Sequence, residues 1–155
     1  MKRVLKNLLY TVIAVIVCMV SSILITFWLN ITHPGWQNLP VAIEKYAWYY
    51  IIFIGPILEE LWFRGVCVLL AFYLLKRITE TDKTGEIILR WVLIIISGFY
   101  FGIRHYTNGG YYTFMPGIVA ISINGMAWAW LALKTRNLAW PILAHMINNT
   151  LAYCF

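Results

Sequence analysis

Charged residues are scarce in this sequence. Only 12% of its 155 residues are Asp, Glu, Lys or Arg, whereas 62% are hydrophobic. A chain this apolar does not have enough polar side chains to cover a folded surface in water, which excludes an ordinary soluble domain. The composition therefore predicts an integral membrane protein.

Cysteine is also scarce, and its placement follows no metal or disulfide pattern. Cys18, Cys67 and Cys154 lie in or at the ends of apolar runs, with no Cys-x-x-Cys pair and no cluster of cysteine with histidine. Such spacing predicts buried, inert thiols. It indicates neither a disulfide framework nor a redox role.

Five apolar runs have the length of a transmembrane helix, which needs about 20 residues to cross the hydrocarbon core. They cover residues 7–29, 47–75, 87–105, 116–134 and 137–154. The sequence therefore predicts an all-α polytopic membrane protein, with about five transmembrane helices in one bundle.

The second run is longer than one perpendicular span requires and contains Gly55-Pro56. We expect this pair to break the run, with an approach segment before it and a helix from about Pro56 to Lys76, because proline suits the first turn of a helix.

The first run has the basic start of a secretory signal. It is longer than the roughly 7–15 residues of a signal core, and no Ala-x-Ala-like cleavage site precedes the loop that follows. We therefore expect the run to stay attached. Residues 1–46 are predicted to form an N-terminal anchor helix with an interfacial loop, and residues 47–155 a helical core.

Basic residues outnumber acidic ones by 12 to 6, and they follow the loops. Most lie before the first run, around the loop after the second, or between the fourth and the fifth: Lys2, Arg3, Lys6, Lys76, Arg77, Lys83, Arg90, Lys134 and Arg136. With five crossings these three places share one side of the membrane. The positive-inside rule then predicts a cytoplasmic N-terminus and an outer C-terminus, and the pattern argues against a nucleic-acid partner.

Acidic residues stand out inside the second apolar run. Glu59 and Glu60 are adjacent there and Arg64 follows one turn later, although a carboxylate in the membrane costs roughly 2.5–3.5 kcal/mol. Residues four apart share a helix face and neighbours diverge, so Glu60 should face Arg64 while Glu59 points elsewhere. This spacing gives Glu60 and Arg64 a supporting role and makes Glu59 a candidate general base.

Two further runs bring histidine into the membrane. His105 ends the third run, and His145 shares a face of the fifth with Asn149. A water molecule held between Glu59 and His105 would be deprotonated and directed at a carbonyl. His145 and Asn149 would donate hydrogen bonds to the resulting oxyanion. The set predicts hydrolysis of a peptide bond by activated water.

These residues form three motifs on separate runs: Glu59-Glu60-x-x-x-Arg64, Phe101-x-x-x-His105 and His145-x-x-x-Asn149. In this order the motifs resemble those of the CPBP/Abi intramembrane proteases, which include the type II CAAX prenyl endopeptidases. The resemblance covers about residues 47–155. It implies a glutamic-type peptidase in which Glu59 and His105 activate the water, His145 and Asn149 form the oxyanion site, and the rest of the first motif supports them.

Metal dependence stays open at this point, because members of the family have been described both as metalloproteases and as metal-independent glutamate proteases. The residues favour a reaction without a cofactor. A zinc site made of Glu59, His105 and His145 is chemically possible with water as the fourth ligand, although no His-Glu-x-x-His spacing supports it.

The predicted topology places the site toward the outer leaflet of a bacterial or archaeal cytoplasmic membrane. A cytosolic prenylated tail would not reach it there. The chain is similar to short sorting proteases such as myxosortase and those paired with JDVT-type C-terminal tags. The expected partners are therefore the lipid bilayer and an exported or membrane protein with a C-terminal membrane segment.

Two other function classes compete with the peptidase. A non-catalytic binding or immunity protein on the same scaffold would be favoured by a missing motif residue, and none is missing. A small transporter or proton relay would be expected to show inverted repeats, and the sequence shows none.

Other conspicuous side chains have simpler interpretations. Trp128 is interpreted as a packing residue within its apolar run, and Asn148 as a helix-contact residue. Gly98 and Gly102 are predicted to let two helices approach closely.

Overall fold

The computed structural model describes residues 1–38, 46–79, 82–106 and 113–154. In these ranges the chain forms helices and no strand, which confirms the all-α class. The α-helices are α1 (Lys2–Thr32), α2 (Gly55–Glu60), α3 (Ala71–Thr79), α4 (Lys83–His105), α5 (Met115–Thr135) and α6 (Ala139–Cys154). Residues 39–45 of the predicted interfacial loop lie outside the described part.

Within the described ranges, three helices are long and apolar enough to cross a membrane: α1, α4 and α5. They coincide with the predicted spans 7–29, 87–105 and 116–134 and extend slightly beyond them. α6 occupies most of the predicted span 137–154 but has only 16 residues, about 24 Å of helix at 1.5 Å per residue. The remaining predicted span, 47–75, has a different internal structure.

Residues 48–79 form one continuous helical rod, here called the second rod, whose hydrogen-bond pattern changes along its length. A first π segment, Tyr50–Ile54, leads into α2. A second π segment, Leu61–Leu70, leads into α3. Such wide turns inside a helix are frequent at functional sites.

The break predicted at Gly55-Pro56 is wrong, because the chain stays helical through it. Proline lacks an N–H and its ring would clash with the carbonyl four residues earlier in an α-helix. The first π segment relieves this clash by widening the turn, and the N–H of Gly55 donates to the carbonyl of Tyr50, five residues back. Glu59 and Glu60 therefore lie well inside the second rod and not in its first turn.

Small residues bring α4 and α5 into close contact. A Cβ atom added to Gly98 would lie 2.7 Å from the carbonyl oxygen of Ser122, and one added to Gly102 would lie 2.1 Å from the Ser122 hydroxyl. These glycines confirm the predicted close approach. The contact presses Phe101, the first residue of the second motif, against α5.

α1 is packed into the same bundle. Its side chains Ala14, Val15 and Cys18 belong to one buried cluster with Phe63 and Phe101. Further along α1, the Ser21 hydroxyl donates to the side-chain oxygen of Asn124 on α5 at 3.0 Å. α1 therefore packs against the same buried cluster as the residues that carry the motifs.

Basic residues from several helices meet at one end of the bundle. Lys6 and Lys134 both lie over the ring of Tyr10, with Nζ 5.8 and 5.6 Å from its centroid. Arg90, near the start of α4, donates to the carbonyl of Leu133 near the end of α5 at 3.2 Å. The starts of α1 and α4 and the end of α5 thus share this end, and His105 lies at the far end of α4.

Candidate active site

Glu60 and Arg64 form a fully buried ion pair. Arg64 Nη1 lies 3.1 Å from Glu60 Oε1, and both side chains are 0% exposed. The contact is the one predicted from their four-residue spacing, which is confirmed. Removing two charges from solvent costs several kcal/mol per ion unless further polar partners compensate, so the remaining contacts of the pair decide whether it is stable.

Arg64 finds those contacts on α4 and α5. Its Nη2 donates to the carbonyl oxygen of Gly125 at 3.1 Å. Its guanidinium carbon lies 4.5 Å from the ring centroid of Phe101 and 5.2 Å from that of Trp128, within the range of a cation–π interaction. The Arg64 charge is thereby held by the carboxylate, a backbone carbonyl and two aromatic faces.

His145 on α6 lies between the two glutamates. Its Nδ1 is 3.0 Å from Glu60 Oε1, and its Nε2 is 3.8 Å from Glu59 Oε2. Because an ionised carboxylate only accepts hydrogen bonds, the contact with Glu60 assigns a proton to Nδ1. Glu60 therefore orients His145 so that its other nitrogen faces Glu59.

The two adjacent glutamates have opposite environments. The Glu60 side chain is inaccessible, whereas the Glu59 side chain is 36% exposed. Side chains of neighbouring residues point in directions about 100° apart around a helix. The Glu60 carboxylate therefore points into the bundle, and the Glu59 carboxylate reaches the surface of the site. Of the two, only Glu59 is placed to meet water and a substrate.

His105 approaches the site from the end of α4, with its ring 4.4 Å from that of Phe101, whose ring also lies 6.0 Å from that of His145. The Nδ1 of His105 pairs with the backbone carbonyl of Phe101 at 2.8 Å, and since a carbonyl only accepts, the proton lies on Nδ1 and the lone pair of the neutral ring on Nε2. The structure thus brings Glu59 and His145 into contact and places His105 on the Phe101 ring that lies next to His145, so three of the four residues predicted to be catalytic share one region.

Asn149, the fourth residue predicted to be catalytic, forms its hydrogen bond with the backbone of the second rod. Its Nδ2 donates to the carbonyl oxygen of Ile51, in the first π segment, at 2.9 Å. In the π register the partner of that carbonyl would be the N–H of residue 56, and Pro56 has none. The Asn149 amide therefore satisfies a carbonyl that proline leaves without a backbone donor, and it ties α6 to the second rod.

The model of the type II CAAX prenyl endopeptidase Rce1-like family matches residues 42–151. The chain belongs to this family. The match contains all three motifs and begins after α1, and it confirms the resemblance to the CPBP/Abi proteases. No curated protein and no solved structure matches the chain.

Family membership and the three apolar helices together make this chain an integral membrane protein of the CAAX-endopeptidase kind. Such a protease acts on a protein substrate within a membrane setting.

Two residues that contact the site were not predicted to belong to it: Gly125 and Trp128, both on α5. α5 is apolar on almost every face, so its pattern does not single out the side that meets Arg64 and His145. The one available hint is their spacing of three, which puts both on the same face of a helix. Trp128 is a buried packing residue, as predicted, but the side chains it packs against, Arg64 and His145, belong to the site.

The described residues of the endopeptidase include no group of three His, Cys, Asp or Glu side chains arranged to hold a metal ion. Of the set Glu59, His105 and His145, the last already uses Nδ1 for Glu60. Its Nε2 would be the nitrogen left for a metal.

Proposed function

We propose that this endopeptidase hydrolyses a peptide bond near the membrane-embedded C-terminal segment of a protein substrate, with a water molecule activated by Glu59 and His105. The observation that carries the proposal is the contrast between the adjacent glutamates. Glu60 is buried in an ion pair, whereas Glu59 is partly exposed and has the imidazole of His145 next to it, with Nε2 3.8 Å from Oε2.

In the proposed reaction Glu59 accepts a proton from the water while the water oxygen bonds to the carbonyl carbon of the substrate. The electron pair of the C=O bond moves onto its oxygen and forms the oxyanion. Glu59 then returns the proton to the leaving nitrogen as the C–N bond breaks. His105 holds the water through its Nε2, and a base so placed contributes about 10²–10⁴-fold to the rate.

His145 and Asn149 stabilise the oxyanion in this mechanism. His145 keeps one proton on Nδ1 for Glu60, so it donates to the oxyanion only if it enters the reaction with a proton on Nε2 as well, and the Glu60 carboxylate would stabilise that imidazolium. A side-chain amide has two N–H donors. Asn149 uses one for Ile51, which leaves the other for the oxyanion.

The orientation of the bundle supports an extracytoplasmic site. Lys6, Lys134 and Arg90 gather at one end, and the positive-inside rule assigns such an end to the cytoplasm. His105 lies at the opposite end of α4. We therefore propose a bacterial or archaeal cytoplasmic membrane with the N-terminus inside, the C-terminus outside and the site toward the outer leaflet, where exported proteins with a C-terminal membrane helix are accessible.

A co-expression assay tests the proposal. The intact chain is produced with an exported reporter that ends in a tag and a membrane helix, beside the variants Glu59→Ala and His105→Ala and the control Asn148→Ala. Processing is expected with the intact chain and the control and is expected to disappear in the other two. Unchanged processing in both site variants would remove the catalytic assignment.

A second reporter with a cytosolic prenylated tail addresses the substrate class. Cleavage of this reporter in place of the exported one would overturn the sorting-type substrate and the proposed orientation. Stable binding of the exported reporter without cleavage would instead point to a non-catalytic role on the same scaffold.

A further inference from the structure

α5 contributes no residue to the three motifs, yet it provides the surface on which all three meet. Trp128 is 2% exposed, and its indole is stacked on the imidazole of His145 with ring centroids 3.9 Å apart and planes 21° from parallel. The same indole faces the Arg64 guanidinium. One buried ring therefore contacts both groups that bind Glu60.

The indole itself is held in place from a third side. Phe101 packs edge-on against it, with centroids 5.5 Å apart and planes at 81°. Phe101 is the first residue of the second motif, and the ring of His105 lies 4.4 Å from it. Trp128 thus sits at the point where side chains from the second rod, α4 and α6 converge.

A single hydrogen bond does not fix the orientation of an imidazole. The terminal torsion of histidine is broad, so a ring anchored only by Nδ1 on Glu60 can still tilt about that bond and move Nε2. Stacking on a rigid aromatic plane removes this freedom. The hydrogen bond and the stack together determine where Nε2 points, and in the structure it points toward Glu59.

We propose that Trp128 is a positioning residue of the peptidase site: its indole fixes the plane of His145 so that the two imidazole nitrogens face Glu60 and Glu59 at the same time. The proposal rests on the proposed function, because the site that Trp128 serves is the peptidase site. Trp128 does not touch the water or the substrate in this arrangement, and it acts through His145.

The variant Trp128→Leu keeps an apolar side chain and removes the ring. A misplacement of about 1 Å can lower a rate by about 100-fold, so kcat is expected to fall by about that factor while KM changes little. Trp128→Phe retains an aromatic face and should restore most of the rate.

Trp130→Leu is the matched control. Trp130 is on the same helix and partly buried, but its ring packs edge-on against Tyr10, with centroids 5.5 Å apart. Loss of this ring is expected to lower the melting temperature without a comparable fall in kcat. If Trp128→Leu lowered kcat no more than Trp130→Leu does, Trp128 would be merely structural and the proposal would fail.

Nuclear magnetic resonance of the intact protein in detergent tests the stack without any variant at position 128. The chain has only 3 histidines, so His33→Gln and His105→Gln suffice to assign the signals of His145. Ring protons stacked on an indole are expected well upfield of ordinary imidazole protons. Ordinary shifts for His145 in the intact protein would overturn the proposal even if the protein proves to be a protease.

The two possible failures are thus separable. Absence of reporter cleavage by the intact protein removes the proposed function and the catalytic part of this inference, and the upfield signal does not depend on it. Cleavage with unshifted His145 signals removes only the role of Trp128.

Discussion

His145 and Glu60 are in direct contact, with Nδ1 3.0 Å from Oε1, although 85 positions separate them in the chain. The same carboxylate oxygen also contacts Arg64 Nη1 at 3.1 Å. One buried atom of the second rod thus orients a side chain of α6 and neutralises a cation of its own helix. The structure of the site depends on the Glu60 carboxylate, although this carboxylate is buried and does not meet the substrate.

Replacing Glu60 by leucine should therefore lower the free energy of unfolding by about 3–5 kcal/mol, because Arg64 would remain buried without its counter-ion. The double variant Glu60→Leu/Arg64→Leu removes both charges and should recover much of that loss. Both variants should be inactive, since His145 loses its anchor. Thermal unfolding in detergent and the reporter assay measure the two effects. A single variant as stable as the intact chain would show that the pair is not buried as described.

Gly102→Ala should destabilise the protein by about 1–3 kcal/mol, as overpacking does. The added Cβ would meet the Ser122 hydroxyl at 2.1 Å and the carbonyl oxygen of Ile118 at 2.8 Å, so α4 and α5 must separate. His105 moves with α4 and activity should fall as well.

Gly65→Ala is the control for the glycine substitution, because its Cβ would meet only the end of the flexible Leu138 side chain at 3.2 Å and the carbonyl of Glu60 at 3.9 Å. Comparison of the two melting temperatures tests the helix contact. Equal stability of both variants would argue that α4 and α5 are not in close contact.

The sequence predicts the features that depend on contacts within one helix, on helix length or on the absence of a side chain. The spacing of Glu60 and Arg64 predicts their ion pair because four residues nearly complete one helical turn. The apolar runs predict α1, α4 and α5 to within a few residues because the thickness of a bilayer sets their length. Gly98 and Gly102 predict close packing because a missing side chain leaves room.

The sequence does not predict contacts between residues that are far apart in the chain. Spacing within α6 gives the face of His145, but nothing in it tells which carboxylate the ring meets. Trp128 is one of many apolar side chains on α5, and only the folded bundle distinguishes it. Gly55-Pro56 signals a disturbance of the helix, yet whether a helix breaks or widens depends on the hydrogen-bond partners available, here including Asn149.

Asn149→Ala should lower stability by about 1 kcal/mol, the net value of one hydrogen bond, because the Ile51 carbonyl loses its donor. Asn149→Asp should be worse, since an ionised carboxylate cannot donate and would face a carbonyl oxygen. Amide hydrogen exchange should quicken in the first π segment in both variants. The neighbour Asn148 provides the control Asn148→Ala. Exchange that stays slow in Asn149→Asp would show that Asn149 does not secure this segment.

Cleavage by the purified protein should persist in the presence of a strong zinc chelator, and added zinc should not increase it. The physical reason is that Glu59 and His105 activate the water directly in the proposed mechanism, and His145 already bonds Glu60 through Nδ1. Loss of activity on chelation, restored by zinc alone, would favour a site made of Glu59, His105 and His145.

The most direct measurement is the cleavage rate of purified Glu59→Gln in proteoliposomes, with a substrate that carries one C-terminal membrane helix. Glutamine has nearly the same size as glutamate, and the Glu59 side chain is 36% exposed, so the melting temperature should stay close to that of the intact chain. Removal of the general base should slow cleavage by about 10²–10⁴-fold. Cleavage at the rate of the intact chain would contradict the assignment of Glu59 as the base.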